Sequence, residues 1–250
     1  MKISLNKASP GKVRALFLHI QKTAGTSIIY LARQYYGSNL TSHGDCWNFK
    51  PSQLEHIGFV SGHIGYDYAQ HLMNNRFSFT FLRDPVERIL SMYYFCRSRN
   101  PEEFEIYQKA HEFDLPQFLE AAQWDPCIRK NIWNNQVWQL AHGYAHLDNR
   151  KISDFSGEEL LSLAKLHLLR FSHVGFTETF DTDAAVIMDA LAFPKAKQLP
   201  VLNNLPNRPR SDSLSPSIRV LLDELTILDR QLYVFARERW PSVENSGQTK

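Results

Sequence analysis

The apolar positions of this chain fall into two patterns. Short unbroken runs rich in β-branched and aromatic residues occur at 13–20, 57–60, 76–82 and 171–177. Between them, apolar residues recur at three- and four-residue spacing, the helical period. Val13–Ile20 and Ile57–Val60 therefore predict buried strands, Arg76–Leu82 (RFSFTFL) the strongest one, and Phe171–Thr177 the last. Helices are predicted over Ser27–Tyr36, stopped by Gly37, and from Asp84 to about Arg97, where Asp84, Pro85 and Glu87 suit the N-cap, N1 and N3 positions. Asp114 and Ser156 open two more, Ile128–Ala141 is another ended by Gly143, and one follows Thr177 through about Leu191. Phe193–Leu214, with four prolines, reads as a long loop. Ser215-Pro216 opens a last helix carrying Ile218, Leu221, Leu222, Leu225, Leu228, Leu232 and Phe235 on one face. Strands alternating with helices predict an α/β fold, a three-layer sandwich with a central parallel sheet flanked by helices.

Composition narrows this without redirecting it. The 250 residues suit a single domain over 1–250, with flexible ends expected at 1–12 and 241–250. Hydrophobic content of 43% and charge of 22% belong to a folded globular chain. A net charge of +2 gives no reason to expect a nucleic-acid partner. No apolar run reaches the roughly 20 residues of a membrane helix, and the polar start MKISLNKASPGKVR lacks a signal-peptide core. Membrane insertion is not expected, and a cytoplasmic location is. Cys46, Cys96 and Cys127 are odd in number and far apart, without metal-ligand spacing, so reduced thiols and no metal site are expected.

Chemistry enters where the first strand ends. FLHIQKTAGTS, Phe17–Ser27, passes from apolar residues into Lys22, Thr23, Ala24, Gly25, Thr26 and Ser27, and then into a helix. A strand that turns over a glycine into a helix N-terminus forms an anion site, with backbone N–H groups and the helix dipole aimed at the ligand. Lys22 adds a cation, and Thr23, Thr26 and Ser27 add hydroxyls. The order is not that of a Walker A loop, whose Lys directly follows its last Gly; here Lys22 precedes Gly25. An ordinary strand–turn–helix connection is the plainer reading of this segment taken alone.

A second segment bears on that choice. In FLRDPVERILSMYYF, residues 81–95, Arg83 falls where a strand meets a helix, at the carboxyl edge where open α/β sheets bind ligands. Ser91 lies about two helical turns further on, so a guanidinium and a hydroxyl there suit a phosphate. Arg88 and the run Tyr93-Tyr94-Phe95 read as packing and local pairing. Taking Asp84 as a Walker B carboxylate is a competing reading, weakened by its fit as an N-cap.

Together, HIQKTAGTS at 19–27 and residues 81–95 resemble the two cofactor-binding signatures of sulfotransferases that use 3′-phosphoadenosine-5′-phosphosulfate (PAPS). The style is that of the carbohydrate group that includes heparan-sulfate 2-O-sulfotransferase. The resemblance is close over about residues 13–98 and diffuse afterwards. It implies a P-loop-like fold and an in-line transfer of the sulfuryl group to an acceptor hydroxyl, on a carbohydrate or glycoconjugate, without a metal. It further implies that Lys22 neutralises the bridging oxygen, that Lys22–Ser27 hold the 5′-phosphate, and that Arg83 and Ser91 hold the 3′-phosphate. The product would be 3′,5′-bisphosphoadenosine.

His63, in VSGHIGY, occupies the place where the resembling enzymes carry a catalytic histidine before the Arg-Asp-Pro segment. The resemblance makes it the base, and its ordinary pKa near neutrality suits that task; a strand-end structural histidine is the bland alternative. Of the ten histidines, His19 reads as structural, while His43, His56 and His71 are candidates to line an acceptor cleft. Phe176, Thr177 and Glu178 are candidates for adenine contact, and Lys195, Lys197, Arg208 and Arg210 for an anionic ligand or a solvated loop. Trp124, Trp133 and Trp138 read as core before sugar platform. A P-loop-type nucleotide or small-molecule kinase and a non-catalytic nucleotide-binding protein remain as alternative functions.

Overall fold

The computed structural model describes residues 12–143, 150–194 and 211–241. Lys195, Lys197, Arg208, Arg210 and His146 lie outside the described residues, as do almost all of the two ends expected to be flexible.

Four strands, β1 (Ala15–Leu18), β2 (Phe59–Gly62), β3 (Phe77–Leu82) and β4 (His173–Phe176), form one parallel sheet in the order β2-β1-β3-β4. The helices are α1 (Gly25–Tyr36), α2 (Tyr66–Ala69), α3 (Pro85–Arg97), α4 (Glu105–Glu112), α5 (Leu115–Ala121), α6 (Pro126–Ile132), α7 (Asn135–Ala141), α8 (Gly157–Leu168), α9 (Phe180–Ala190), α10 (Pro216–Leu225) and α11 (Ile227–Arg239). The two faces of the sheet are both apolar, as the unbroken strand runs require. Phe17, Phe59, Phe79 and Phe81 pack against Ile28, Ala32 and Tyr36 of α1 and against Ala184, Ile187 and Leu191 of α9. On the other face Leu16, Leu18, Val60 and Val174 meet α2, α7, α8 and α11. That is the expected three-layer sandwich. A further apolar cluster joins α3, α4, α5, α6 and α10.

Two helices predicted as continuous are broken, and the breaks meet. Ile128–Ala141 divides into α6 and α7 at Asn134, which sits in the left-handed region at φ 39°. The stripe from Ile218 to Phe235 divides into α10 and α11 at Thr226, whose hydroxyl donates back to Leu222 O at 2.7 Å. Ile218, Leu221, Leu222 and Leu225 face the α3–α6 cluster, whereas Leu228, Leu232 and Phe235 face the sheet-side core. One apolar stripe thus serves two cores. Asn134 Oδ1 accepts from Leu228 N and Asp229 N at the start of α11. In return Asp229 accepts from Gln136 N and Val137 N at the start of α7. Each helix start is capped by a residue of the other.

The order of the sheet positions the site. β1 connects outward to β2 on one side and β3 to β4 on the other, so the crevice beyond their carboxyl ends is a switch point of the topology. The segments after β1 and β3 that open on it are the two carrying Lys22 and Arg83. Among the described residues no helix is long and apolar enough to cross a membrane.

Candidate active site

After β1 the backbone turns sharply. Lys22 and Ala24 both lie in the left-handed region, at φ 69° and 61°, and Gly25 then begins α1. A left-handed residue followed by a right-handed one turns successive N–H groups toward one point, the concavity that holds anions. Ala24 is the N-cap and no side chain caps this end of α1. Thr23 is buried with its hydroxyl donating to Ile20 O at 2.8 Å, so it closes the loop from inside rather than facing a ligand. Ser27 is also buried, with its N–H donating to Ala24 O, and Thr26 is partly exposed.

Gly25 is required by a close approach. A Cβ at this position would lie 1.9 Å from His19 Nε2. His19 is itself wedged, stacked on Phe17 at 5.1 Å and against His63 at 4.4 Å between ring centroids. We expect Gly25→Ala to destabilise the fold by about 1–3 kcal/mol, the cost of an overpacked site, because the His19 ring has Phe17 and His63 behind it. Thermal unfolding checks this; an unchanged Tm would mean that the His19 ring moves aside without cost.

Arg83, at the end of β3, reaches back to the loop: its Nη1 donates to Lys22 O at 3.1 Å. Lys22 Nζ lies 3.5 Å from the centroid of the Phe95 ring on α3. Ser91, partly exposed, is one turn before Phe95 on the same helix face. The structure therefore brings Lys22, Arg83 and the Ser91 face of α3 around one loop. Asp84 Oδ1 caps α3 through Glu87 N at 3.0 Å, as its spacing predicts. Arg88 is wholly buried, donating to Asn131 O at 2.9 Å.

His63 follows β2. Its Nδ1 lies 3.0 Å from His19 O, and a carbonyl can only accept, so Nδ1 carries the proton and Nε2 the lone pair. Burial pushes its pKa down to about 4; the bond to His19 O opposes this, and His43 and Lys22 reinforce it. His19 is held well below the ordinary value, first by burial and then by His63, and His43 is lowered by burial and by Arg33. The three rings form one cluster, with His43 5.7 Å from His63 and 6.0 Å from His19. Crowding and desolvation keep His63 neutral, the state a proton acceptor needs.

Other candidates resolve differently. His56 follows Glu55, whose carbonyl is bonded by Arg76 ahead of β3, so it lies at the amino edge of the sheet and not in the crevice. His71 is exposed on the turn Gln70–Leu72. Phe176 is buried against Tyr233, Thr177 Oγ1 donates to Leu82 O, and Glu178 accepts from Asp84 N and Tyr233 Oη. These three tie β4 to β3 and α11. Trp138 is core, but Trp124 is 66% exposed and packs edge-on against Phe113. Cys46, Cys96 and Cys127 are buried free thiols.

Three residues here carry no signal in the sequence. Trp47, largely exposed, donates from Nε1 to His63 O at 3.1 Å. Gln136 of α7 clasps the Arg83 backbone, accepting from its N at 3.0 Å and donating to its O at 2.9 Å. Gln139, three residues on, donates to His19 O at 3.0 Å and Ile64 O at 2.8 Å.

A helix start without a side-chain cap, with Lys22 and Arg83 beside its loop, suits an anionic ligand. A family model described as the sulfotransferase family matches residues 11–235. No curated protein matched the chain in a sequence search.

Proposed function

This chain belongs to the sulfotransferase family, and we propose that it moves the sulfuryl group of PAPS to a hydroxyl of a carbohydrate or glycoconjugate, with His63 as base. The observation that carries the reading is the meeting of Lys22, Arg83 and His63 around the loop after β1. Lys22 and the N–H groups of Gly25 and Thr26 would hold the 5′-phosphate end, with Ala24 shaping the turn and Thr23 bracing it. Arg83 and Ser91 would hold the 3′-phosphate. When bound, the donor supplies the activated sulfate and a phosphate leaving group. His63 Nε2 would take the acceptor proton while Nδ1–H stays on His19 O. Lys22, lifted from Phe95, would offset the charge that develops on the leaving oxygen.

Ligand stabilisation tests the donor. At about 100 times its Kd, 3′,5′-bisphosphoadenosine adds about 2.7 kcal/mol, a rise in Tm of about 5–10 °C for a chain of this size. ADP with Mg²⁺ is expected to give less. A larger rise with ADP would favour a nucleotide kinase, and binding without transfer to any acceptor would favour a binding protein.

A further inference from the structure

The proposed base and the proposed donor loop sit on neighbouring strands that part company where the site opens. The last ladder bond between them is His19 N to Gly62 O at 3.1 Å. Beyond it the chains diverge, one into Gln21–Ser27 and the other into His63–Gly65. Two carbonyls then face the gap, His19 O and Ile64 O, and the amide of Gln139 fills it, donating to both. The orientation of that amide is fixed by chemistry: both partners only accept, so the NH₂ must face them. Gln139 is wholly buried, and its Oε1 has no hydrogen-bond partner among the described residues. Leaving a buried acceptor unpaired carries the full cost of its lost hydration. An apolar residue would fill the space without that cost, so the gain lies in the two donated bonds.

Their placement says what they are for. His19 O receives two donors, Gln139 Nε2 and His63 Nδ1, one for each lone pair. Ile64 is the residue directly after His63. The Gln139 amide therefore holds the acceptor that fixes the His63 tautomer and, through Ile64, the backbone that carries the ring. Gln136, on the adjacent turn of α7, makes the matching clasp on Arg83. We propose that Gln139 is a positioning residue for His63 and Gln136 one for Arg83, so that α7 sets the spacing between the proton acceptor and the anion-binding corner. The part played by Gln139 in turnover rests on the reading of His63 as base; its hold on the tautomer does not.

The test contrasts two near-isosteric substitutions in the full chain. Gln139→Met is expected to lower kcat about 10- to 100-fold, with 3′,5′-bisphosphoadenosine affinity within about threefold of the parent. Gln136→Met is expected to do the reverse, weakening that affinity about tenfold or more with a smaller effect on kcat. A readout independent of turnover is the ¹⁵N spectrum of the histidine rings. The parent should show His63 as the pure Nδ1–H tautomer and Gln139→Met a mixture. If no acceptor is turned over, the function proposed above fails and the spectrum alone decides the positioning role. The inference is overturned if Gln139→Met leaves kcat within twofold, if it weakens kcat and binding by one common factor, or if His63 keeps a single tautomer. Should Gln139→Met not fold, Gln139→Glu decides: protonated, it offers one donor, and a full parental kcat in that variant overturns the role.

Discussion

His63→Ala is expected to lower kcat about 10³-fold, within the 10²–10⁴ that a positioned general base contributes, while 3′,5′-bisphosphoadenosine binds within about threefold of the parent. The two halves of this expectation separate the ring from the loop. His63 meets β1 and its loop through His19, by the bond to His19 O and by the ring contact at 4.4 Å, so its removal is expected to leave Lys22 and Arg83 in place while loosening only the His19 ring. The pH profile adds a sign. A base works unprotonated, and burial holds this imidazole near 4 rather than near its ordinary 6.5. The acid limb of kcat/KM for the donor, which reports the free enzyme, should therefore fall off only as pH approaches about 4. Bound phosphates favour the imidazolium, so the limb of kcat should lie at higher pH. Steady-state kinetics across pH, with a titration for binding, checks all of this. A variant that retains parental kcat, or that keeps the same acid limb, sinks the base assignment.

How much of this was legible in advance depends on where each interaction is encoded. The loop and the Arg83 corner are written locally: a strand, a small residue, a glycine and a helix start lie consecutively, and local order is what sequence shows. Gly25 was readable as part of a turn, but its actual constraint, the His19 ring against its Cα, needs the fold. Gln136, Gln139 and Trp47 were unreadable for a different reason. Each bonds to backbone atoms far away in sequence, and a backbone acceptor has no residue type to co-occur with. The helix breaks left fainter marks. Asn134 tolerates a left-handed backbone and Thr226 can bond to the carbonyl four residues back, yet neither residue is a breaker by type. The apolar stripe ran unbroken through both cores because periodicity reports that a face is buried, not against what.

The junction of those breaks yields the largest expected loss of stability. Arg88, fully buried, donates to Asn131 O and Ile132 O at the end of α6 and faces the buried carboxyl of Asp229, which caps α7. Burial raises the Asp229 pKa to about 6, with Arg88 the first of the influences holding it down. Arg88→Met leaves that carboxylate without its cation and two carbonyls without a donor. Removing one partner of such a pair costs about 3–5 kcal/mol, a large share of the 5–15 kcal/mol that holds a domain together. Thermal unfolding should show a fall in Tm of about 10 °C. The pH dependence identifies the cause. An acid whose folded pKa is raised contributes its stability below the unfolded value, about 3.8, and loses it as pH rises through the folded one, about 6. In Arg88→Met the folded value rises further, so the deficit is greatest at pH 7 and above and narrows as the solution is acidified toward 5. Asp229→Asn in the same chain should recover part of it, because the neutral amide needs no counter-charge. A deficit that is constant across pH, and untouched by Asp229→Asn, would assign the whole effect to the lost bonds to α6 and leave the charge pair without a role.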